Sequence, residues 1–120
     1  IVLDEPTAML DPKGRREVMS TIQRLNREHG ITVVLITHYM EEAAQAQRVV
    51  VMNDGKILWD ATPREVFSHV QELKEVGLDV PQATELCWRL RQAGLDLPGD
   101  VLTEEEAVAA ISKLLEEVRG

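Results

Sequence analysis

Apolar residues stand in an unbroken row at the start of the chain, "IVL" (1–3), and again at 31–37, "ITVVLIT". Neither run alternates with polar positions, which is the pattern of a buried strand with both faces apolar. Between them the period changes. Val18, Ile22 and Leu25 fall at i, i+4 and i+7 with Met19 beside them, while Lys, Arg, Glu and Gln cover the other side. That spacing predicts an amphipathic helix. Asp11 offers an N-cap and Pro12 suits the first helical position, so the helix should run from Pro12 to His29 until Gly30 stops it. Strand, helix and strand in this order predict a parallel crossover unit.

The pattern then shortens. Residues 39–47, "YMEEAAQAQ", read as a short helix, and 48–53, "RVVVMN", as a third strand. Asp54-Gly55 is a hairpin signal, after which 56–61, "KILWDA", returns antiparallel. Thr62-Pro63-Arg64-Glu65 is a capping box with proline in the first turn. The helix it starts carries Val66, Val70 and Leu73 on one face. From about residue 77 the chain becomes helical, acidic and punctuated. "GLDVP" (77–81) and "GLDLP" (94–98) echo one another, each a helix stop followed by a loop. Between them Ala83, Leu86, Leu90 and Ala93 predict an apolar helical face. "TEEE" (103–106) is a second capping box, before a helix with Val108, Ile111, Leu115 and Val118 at helical spacing. The organisation expected is a domain over 1–76 and a helical extension over 77–120.

Composition narrows the function classes. The net charge of the 120 residues is −8, with 7 basic and 9 acidic side chains in residues 1–60 and 6 against 12 in 61–120. An acidic chain without a basic stripe is a poor binder of nucleic acid or of anionic lipid. No apolar run approaches the length needed to span a bilayer. A single cysteine, Cys87, rules out an internal disulfide and suits a reducing compartment; it reads as a small, partly buried filler. His29 and His69 lack companions at metal-ligand spacing. Trp59 on the hairpin should pack, whereas Trp88 points away from the expected helical face and either packs on another helix or meets a partner.

The candidate chemistry lies where the strands end. Asp4 and Glu5 follow the first strand, at the carboxyl end where open α/β sheets bind ligands. Neighbouring strand residues point to opposite faces. The chain must therefore turn, at Pro6, for two adjacent acids to serve one site. Two roles suit such a pair, a metal-ion acid and an acid for a nucleophilic water, and phosphoryl transfer needs both. An acid pair after an apolar run is by itself a common surface feature. His38 changes the balance, because it ends the neighbouring parallel strand at the same sheet edge, within reach of Glu5.

These residues carry a resemblance. "IVLDEPTAMLDP…VVLITHYMEEAAQAQRVVVMNDGKI", residues 1 to about 67, resembles the second half of the nucleotide-binding domain of ATP-binding cassette (ABC) ATPases. The resemblance implies an α/β fold: a partial P-loop NTPase parallel sheet with helices, followed by a small α-helical C-terminal extension. It makes Leu3-Asp4-Glu5-Pro6 the end of the Walker B strand, with Asp4 holding magnesium largely through water and Glu5 the general base or water positioner. It matches Ala8-Met9-Leu10-Asp11 to the D-loop that meets a partner subunit across an ATP sandwich. Ala8 and Met9 depart from the usual serine and alanine. It matches His38 to the switch histidine that touches the γ-phosphate of ATP. Asp11 can serve as cap and contact together, or as cap alone. The family's phosphate loop GxxxxGK[ST], its LSGGQ-type signature and its glutamine loop do not occur in these 120 residues. All three lie upstream of Walker B in the family, so the sequence reads as a C-terminal portion.

The remainder, "WDATPREVFSHVQELKEVGLDVPQATELCWRLRQAGLDLPGDVLTEEEAVAAI", resembles the C-terminal region of energy-coupling factor (ECF) transporter ATPases of the cobalt/nickel and vitamin uptake type, with Ala61 where glycine is usual. This implies an ATPase using ATP and Mg2+, paired with an identical or paralogous ABC ATPase subunit. The pair would be docked on a transmembrane coupling protein that joins a substrate-binding membrane protein, peripheral on the cytoplasmic face of the cell membrane, with no nucleic acid partner. The alternatives are the ATPase of another ABC transporter class and a soluble ABC protein outside transport.

Overall fold

A computed structural model of the chain describes residues 1–119. It divides into two compact units, Ile1–Glu42 and Ala43–Gly120. In the first, strand β1 (Val2–Asp4) leads through helix α1 (Pro12–His29) to strand β2 (Val34–Ile36) and the start of a short helix, α2 (Met40–Ala43). β1 and β2 pair in parallel with Val2 opposite Val34, Leu3 opposite Leu35 and Asp4 opposite Ile36. The expected crossover unit is therefore present, and α1 has the expected bounds. Its cap is Asp11, whose Oδ1 accepts the Gly14 N–H at 2.8 Å, and Gly30 closes it in the left-handed conformation. Met19 is buried in this unit, with Val18, Ile22 and Leu25 half-buried beside it.

Three expectations for this unit are corrected. The second strand occupies three residues rather than seven, and the short helix four rather than nine. Nor are the strands buried on both faces. Leu3 and Leu35 are half-buried, while Val2, Val34 and Ile36 are exposed. The described residues bring a cover to only one face of this pair. An unbroken apolar run marks both faces as apolar without saying what lies against each.

In the second unit, strands β3 (Val49–Asn53) and β4 (Lys56–Ala61) form an antiparallel hairpin with an irregularity between Val51 and Met52. Asp54 and Gly55 both take positive φ, 54° and 74°, as a two-residue primed turn requires. The capping box holds: Thr62 Oγ1 accepts the Glu65 N–H at 3.3 Å and starts helix α3 (Pro63–Phe67), which packs on both hairpin strands. The single helix expected after it is divided. Ser68 Oγ donates to the Glu65 carbonyl at 2.6 Å, and the His69 N–H bonds Val66 O only three residues back. The last turn tightens and helix α4 (Val70–Glu75) begins afresh. Trp59 stacks on the His69 ring across this junction, with centroids 5.3 Å apart, so Trp59 packs as expected. Val66, Val70 and Leu73 are buried in spite of the break.

Helices α5 (Gln82–Gln92) and α6 (Glu104–Arg119) follow. Gly77 and Gly94, with φ of 82° and 98°, mark the two expected stops. The apolar faces differ from those expected. The core joins Cys87, Leu97, Val101 and Ala107, with Ala83, Leu90, Ala110, Ile111 and Leu114 against them. Leu86, at 47% exposure, lies outside it, as do Val108, Leu115 and Val118. In α5 the expected Ala83 and Leu90 are kept and Cys87 replaces Leu86, whereas α6 is turned by about one residue, with Ala107, Ala110, Ile111 and Leu114 inward. Cys87 is 2% exposed, so it is a core residue rather than a partly buried one, and burial raises its thiol pKa. Thr84 Oγ1 donates to the Val101 carbonyl at 2.8 Å, which lets a hydroxyl be buried here. Trp88 is half-buried, with Lys74 Nζ 6.0 Å from its ring centroid, and so packs toward α4.

The second capping box is reciprocal. Thr103 Oγ1 accepts the Glu106 N–H at 3.2 Å, and Glu106 Oε2 accepts the Thr103 and Leu102 N–H groups at 3.4 and 3.3 Å. Arg64 pairs with the same carboxylate and donates to the Asp100 carbonyl at 2.8 Å, tying α3 to the start of α6. Its hydrogen bond is the main cause that holds the Glu106 pKa below the usual carboxylate value. A depressed folded-state pKa stabilises at neutral pH and loses that effect as pH falls through it. Glu106→Gln is therefore expected to lower the denaturant midpoint at pH 7 and to cost progressively less below about pH 4. Parallel unfolding curves for the two proteins would contradict this if the gap between them is the same at both pH values.

Candidate functional site

The parallel register carries the chain past β1 and β2 at one edge. Asp4 is the last residue of β1. Glu5 then leaves the strand with φ 47°, a left-handed conformation unusual for a residue with a side chain. Its N–H still bonds Ile36 O at 2.7 Å, so the turn happens against β2 rather than away from it. The Ala8 N–H bonds the Glu5 carbonyl at 3.2 Å and the Leu10 N–H bonds Thr7 O at 3.0 Å. This compact turn sends the chain to Asp11 and α1. The expected division of direction between adjacent acids is thus made at Glu5 itself, one residue before Pro6.

Two residues beyond β2, His38 Nδ1 meets Glu5 Oε1. An ionised carboxylate can only accept, so Nδ1 carries the hydrogen and Nε2 is the ring nitrogen left for a ligand. Both side chains are substantially exposed, as a group that must meet a ligand requires. The His38 ring lies 4.5 Å from that of Tyr39. Arg15, on the first turns of α1, places its guanidinium carbon 3.8 Å from the centre of the Tyr39 ring. Such a contact contributes about 0.5–2 kcal/mol, and it links α1 to the histidine loop.

Asp4 is exposed at the strand end, with its carboxylate open. A single hard-oxygen ligand of this kind suits Mg2+, which usually keeps several waters and takes one or two carboxylates together with substrate phosphates. Among the described residues there is no cluster of three or more His, Cys, Asp or Glu that would form an all-protein metal cage. Asp11 is brought to the same unit but not to the Glu5–His38 pair. Its Oδ1 is engaged as the α1 cap, and a Cβ on Gly14 would come within 3.1 Å of that oxygen. Met9 beside it is almost wholly exposed.

Sequence reasoning missed three residues here. Thr7 is 0% and Glu42 3% exposed. Thr7 Oγ1 donates to Glu42 Oε2, and Thr37 Oγ1 donates to Glu42 Oε1 at 2.7 Å. The Tyr39 N–H in turn donates to Thr37 Oγ1 at 3.0 Å. Threonine two residues before a chain reversal is a local signal for that last bond. Nothing in "EE" says which glutamate turns inward.

These features are those of an ABC ATPase fold, and solved structures agree. CbiO1 from Clostridium perfringens, described as part of the ABC transporter complex CbiONQ, matches at a TM-score of 0.54 and 34% identity, over 78% of this chain and 34% of that one. UvrA2 from Deinococcus radiodurans matches at 0.52 and 30% identity, over 59% and 9%. Among sequences, the energy-coupling factor transporter ATP-binding protein EcfA1 of Caldanaerobacter subterraneus subsp. tengcongensis is 64% identical over 113 residues, 94% of this chain and 41% of that protein. The EcfA1 of Clostridium novyi is 56% identical over 114 residues, 95% and 41%. Over nearly its whole length the chain is thus similar to energy-coupling factor transporter ATP-binding proteins. It spans about two fifths of the length of the curated relatives it matches. No family model matches the chain.

The conformation of Glu5 generates a stability test. Glu5→Ala and Glu5→Gly both delete the carboxylate, but only glycine adopts positive φ without a steric cost. The glycine variant is expected to be more stable than the alanine variant by about 1 kcal/mol. Equal stability in chemical denaturation would show that the backbone at Glu5 relaxes once the side chain is gone.

Proposed function

We propose that the chain serves as the C-terminal portion of the ATP-hydrolysing subunit of an ECF-type ABC importer, powering uptake of a vitamin or of a transition-metal ion such as cobalt. The observation that carries the reading is the contact of His38 with Glu5 at the strand end next to Asp4. In this reading Glu5 takes the proton of the attacking water, typically worth 10²–10⁴-fold in rate. His38 orients Glu5 through Nδ1–H and offers Nε2 to the γ-phosphate. Asp4 holds Mg2+ through water, and the ion supplies neutralising charge on the phosphate oxygens. Asp11 caps α1 with one oxygen and retains acceptor positions for a second ATPase subunit, identical or paralogous.

Residues 1–76 would form the nucleotide-binding part and 77–120 an extension that assembles the ATPase pair. The unburied apolar side chains of Leu86, Val108, Leu115 and Val118 support that division. The pair would dock on a transmembrane coupling protein and, through it, a substrate-binding membrane protein, at the cytoplasmic face of the cell membrane. No described helix is long and apolar enough to cross a membrane. The acidic balance speaks against a nucleic-acid partner. The likeness to EcfA1 runs through the tail, whereas the likeness to UvrA2 covers only 59% of the chain, which favours the transporter reading over a soluble ABC protein.

In the complete ATPase, Glu5→Gln is expected to keep ATP affinity and nearly abolish hydrolysis, because an amide cannot take the proton. Steady-state phosphate release and nucleotide titration check this, and turnover within about threefold of wild type would remove Glu5 from the role. Deleting 77–120 is expected to weaken pairing while leaving the rate per assembled pair. Unchanged pairing with a collapsed rate per pair would refute the assignment of the tail to assembly.

A further inference from the structure

We propose that Glu42 is a positioning residue that holds the Glu5 loop and the His38 loop in register. The inference rests on the functional reading above and adds a residue to it. Glu42 is the buried carboxylate of the first unit, and its two oxygens accept from hydroxyl groups rather than from cations. Burying an ionised carboxylate on hydroxyl donors alone is unfavourable, so packing by itself gives no reason for an acid at this place.

The partners supply the reason. Thr7 lies two residues after Glu5, in the turn that Glu5 begins. Thr37 immediately precedes His38. Each oxygen of Glu42 takes one of these hydroxyls, so a single side chain spans the loops that follow β1 and β2. An ionised carboxylate is acceptor-only. It therefore fixes both hydroxyl protons toward itself and leaves Thr37 Oγ1 free to accept the Tyr39 N–H, which sets the backbone just after His38. The Glu42 N–H also bonds the Tyr39 carbonyl at 3.0 Å, closing the turn that directly follows the histidine. A glutamine would have to donate to one threonine and so reverse one arm of this chain of bonds. The charge is thus matched to direction: both loops are held from the buried side while Glu5 and His38 meet on the exposed side.

The test uses the complete ATPase and measures kcat per bound nucleotide, KM for ATP and thermal melting for Glu42→Ala, Thr7→Val and Glu5→Gln. Misplacing a reacting group by about 1 Å costs on the order of a hundredfold in rate, so Glu42→Ala is expected to lower kcat per bound nucleotide by about tenfold to a hundredfold with KM nearly unchanged. Thr7→Val keeps the side-chain shape and removes one arm, and is expected to lower it by a smaller factor. It decides the question if Glu42→Ala does not fold. A purely structural Glu42 would lower the melting temperature and the amount of binding-competent protein but leave turnover per bound nucleotide within about threefold, and that result overturns the proposal. Glu5→Gln separates the two levels. If it retains turnover, the functional reading falls and the positioning role with it. If it is silent while Glu42→Ala and Thr7→Val turn over normally, only the positioning role falls.

Discussion

The parallel register between β1 and β2 is the constraint on which the site depends. Asp4 stands opposite Ile36, and from that pair the chain reaches Glu5 in one residue and His38 in two. A slip of one residue would move one loop by about 3.3 Å along the other and turn every strand side chain to the opposite face. Contact between Glu5 and His38 would then be lost. Yet only three residues pair on each strand, and one face of the pair is open. Alternating burial alone is weak insurance for such a short ladder. The Glu5 N–H to Ile36 O bond extends the ladder past Asp4, and the Thr7–Glu42–Thr37 bonds fasten the two exits.

The second unit is held by different physics. Several of its polar bonds serve helix ends, through Thr62, Thr103 and Glu106, and its core is built where α5 meets α6. Arg64 is used twice, as partner to Glu106 and as donor to the Asp100 carbonyl. Among the described residues of that unit no group shares the combination found at the β1–β2 edge, an exposed acid in a strained backbone beside an imidazole. The contrast agrees with the proposed division of labour, chemistry in the first part of the chain and assembly in the last.

Family likeness and local geometry support the proposal in different ways. Identity of 64% to an EcfA1 protein over 94% of this chain bears on the kind of ATPase. The contact between Glu5 and His38 bears on the chemistry and would be informative in a chain without relatives. The chain spans 41% of that relative. In the proposed reading its residues supply a water-side acid, a metal-side acid and a histidine.

Local signals in the sequence determined much of this protein. Asp11 and Pro12 set the start of α1 and Gly30 its end, since each acts within one turn. Asp54-Gly55 set the hairpin, and the two capping boxes set the starts of α3 and α6. The acid pair and His38 were legible as neighbours because a parallel crossover returns the chain to the same sheet edge. The tertiary structure alone decided what depends on partners distant in sequence. It divided the helix at Ser68, where a side chain competes for a backbone carbonyl and Trp59 stacks on His69. It placed Ala107, not Val108, inward, against Cys87, Leu97 and Val101. It chose Glu42 over Glu41 for burial, since the choice rests on hydroxyls 35 and 5 residues away. Periodicity records which residues share a face, while the packing of other elements decides which face is covered.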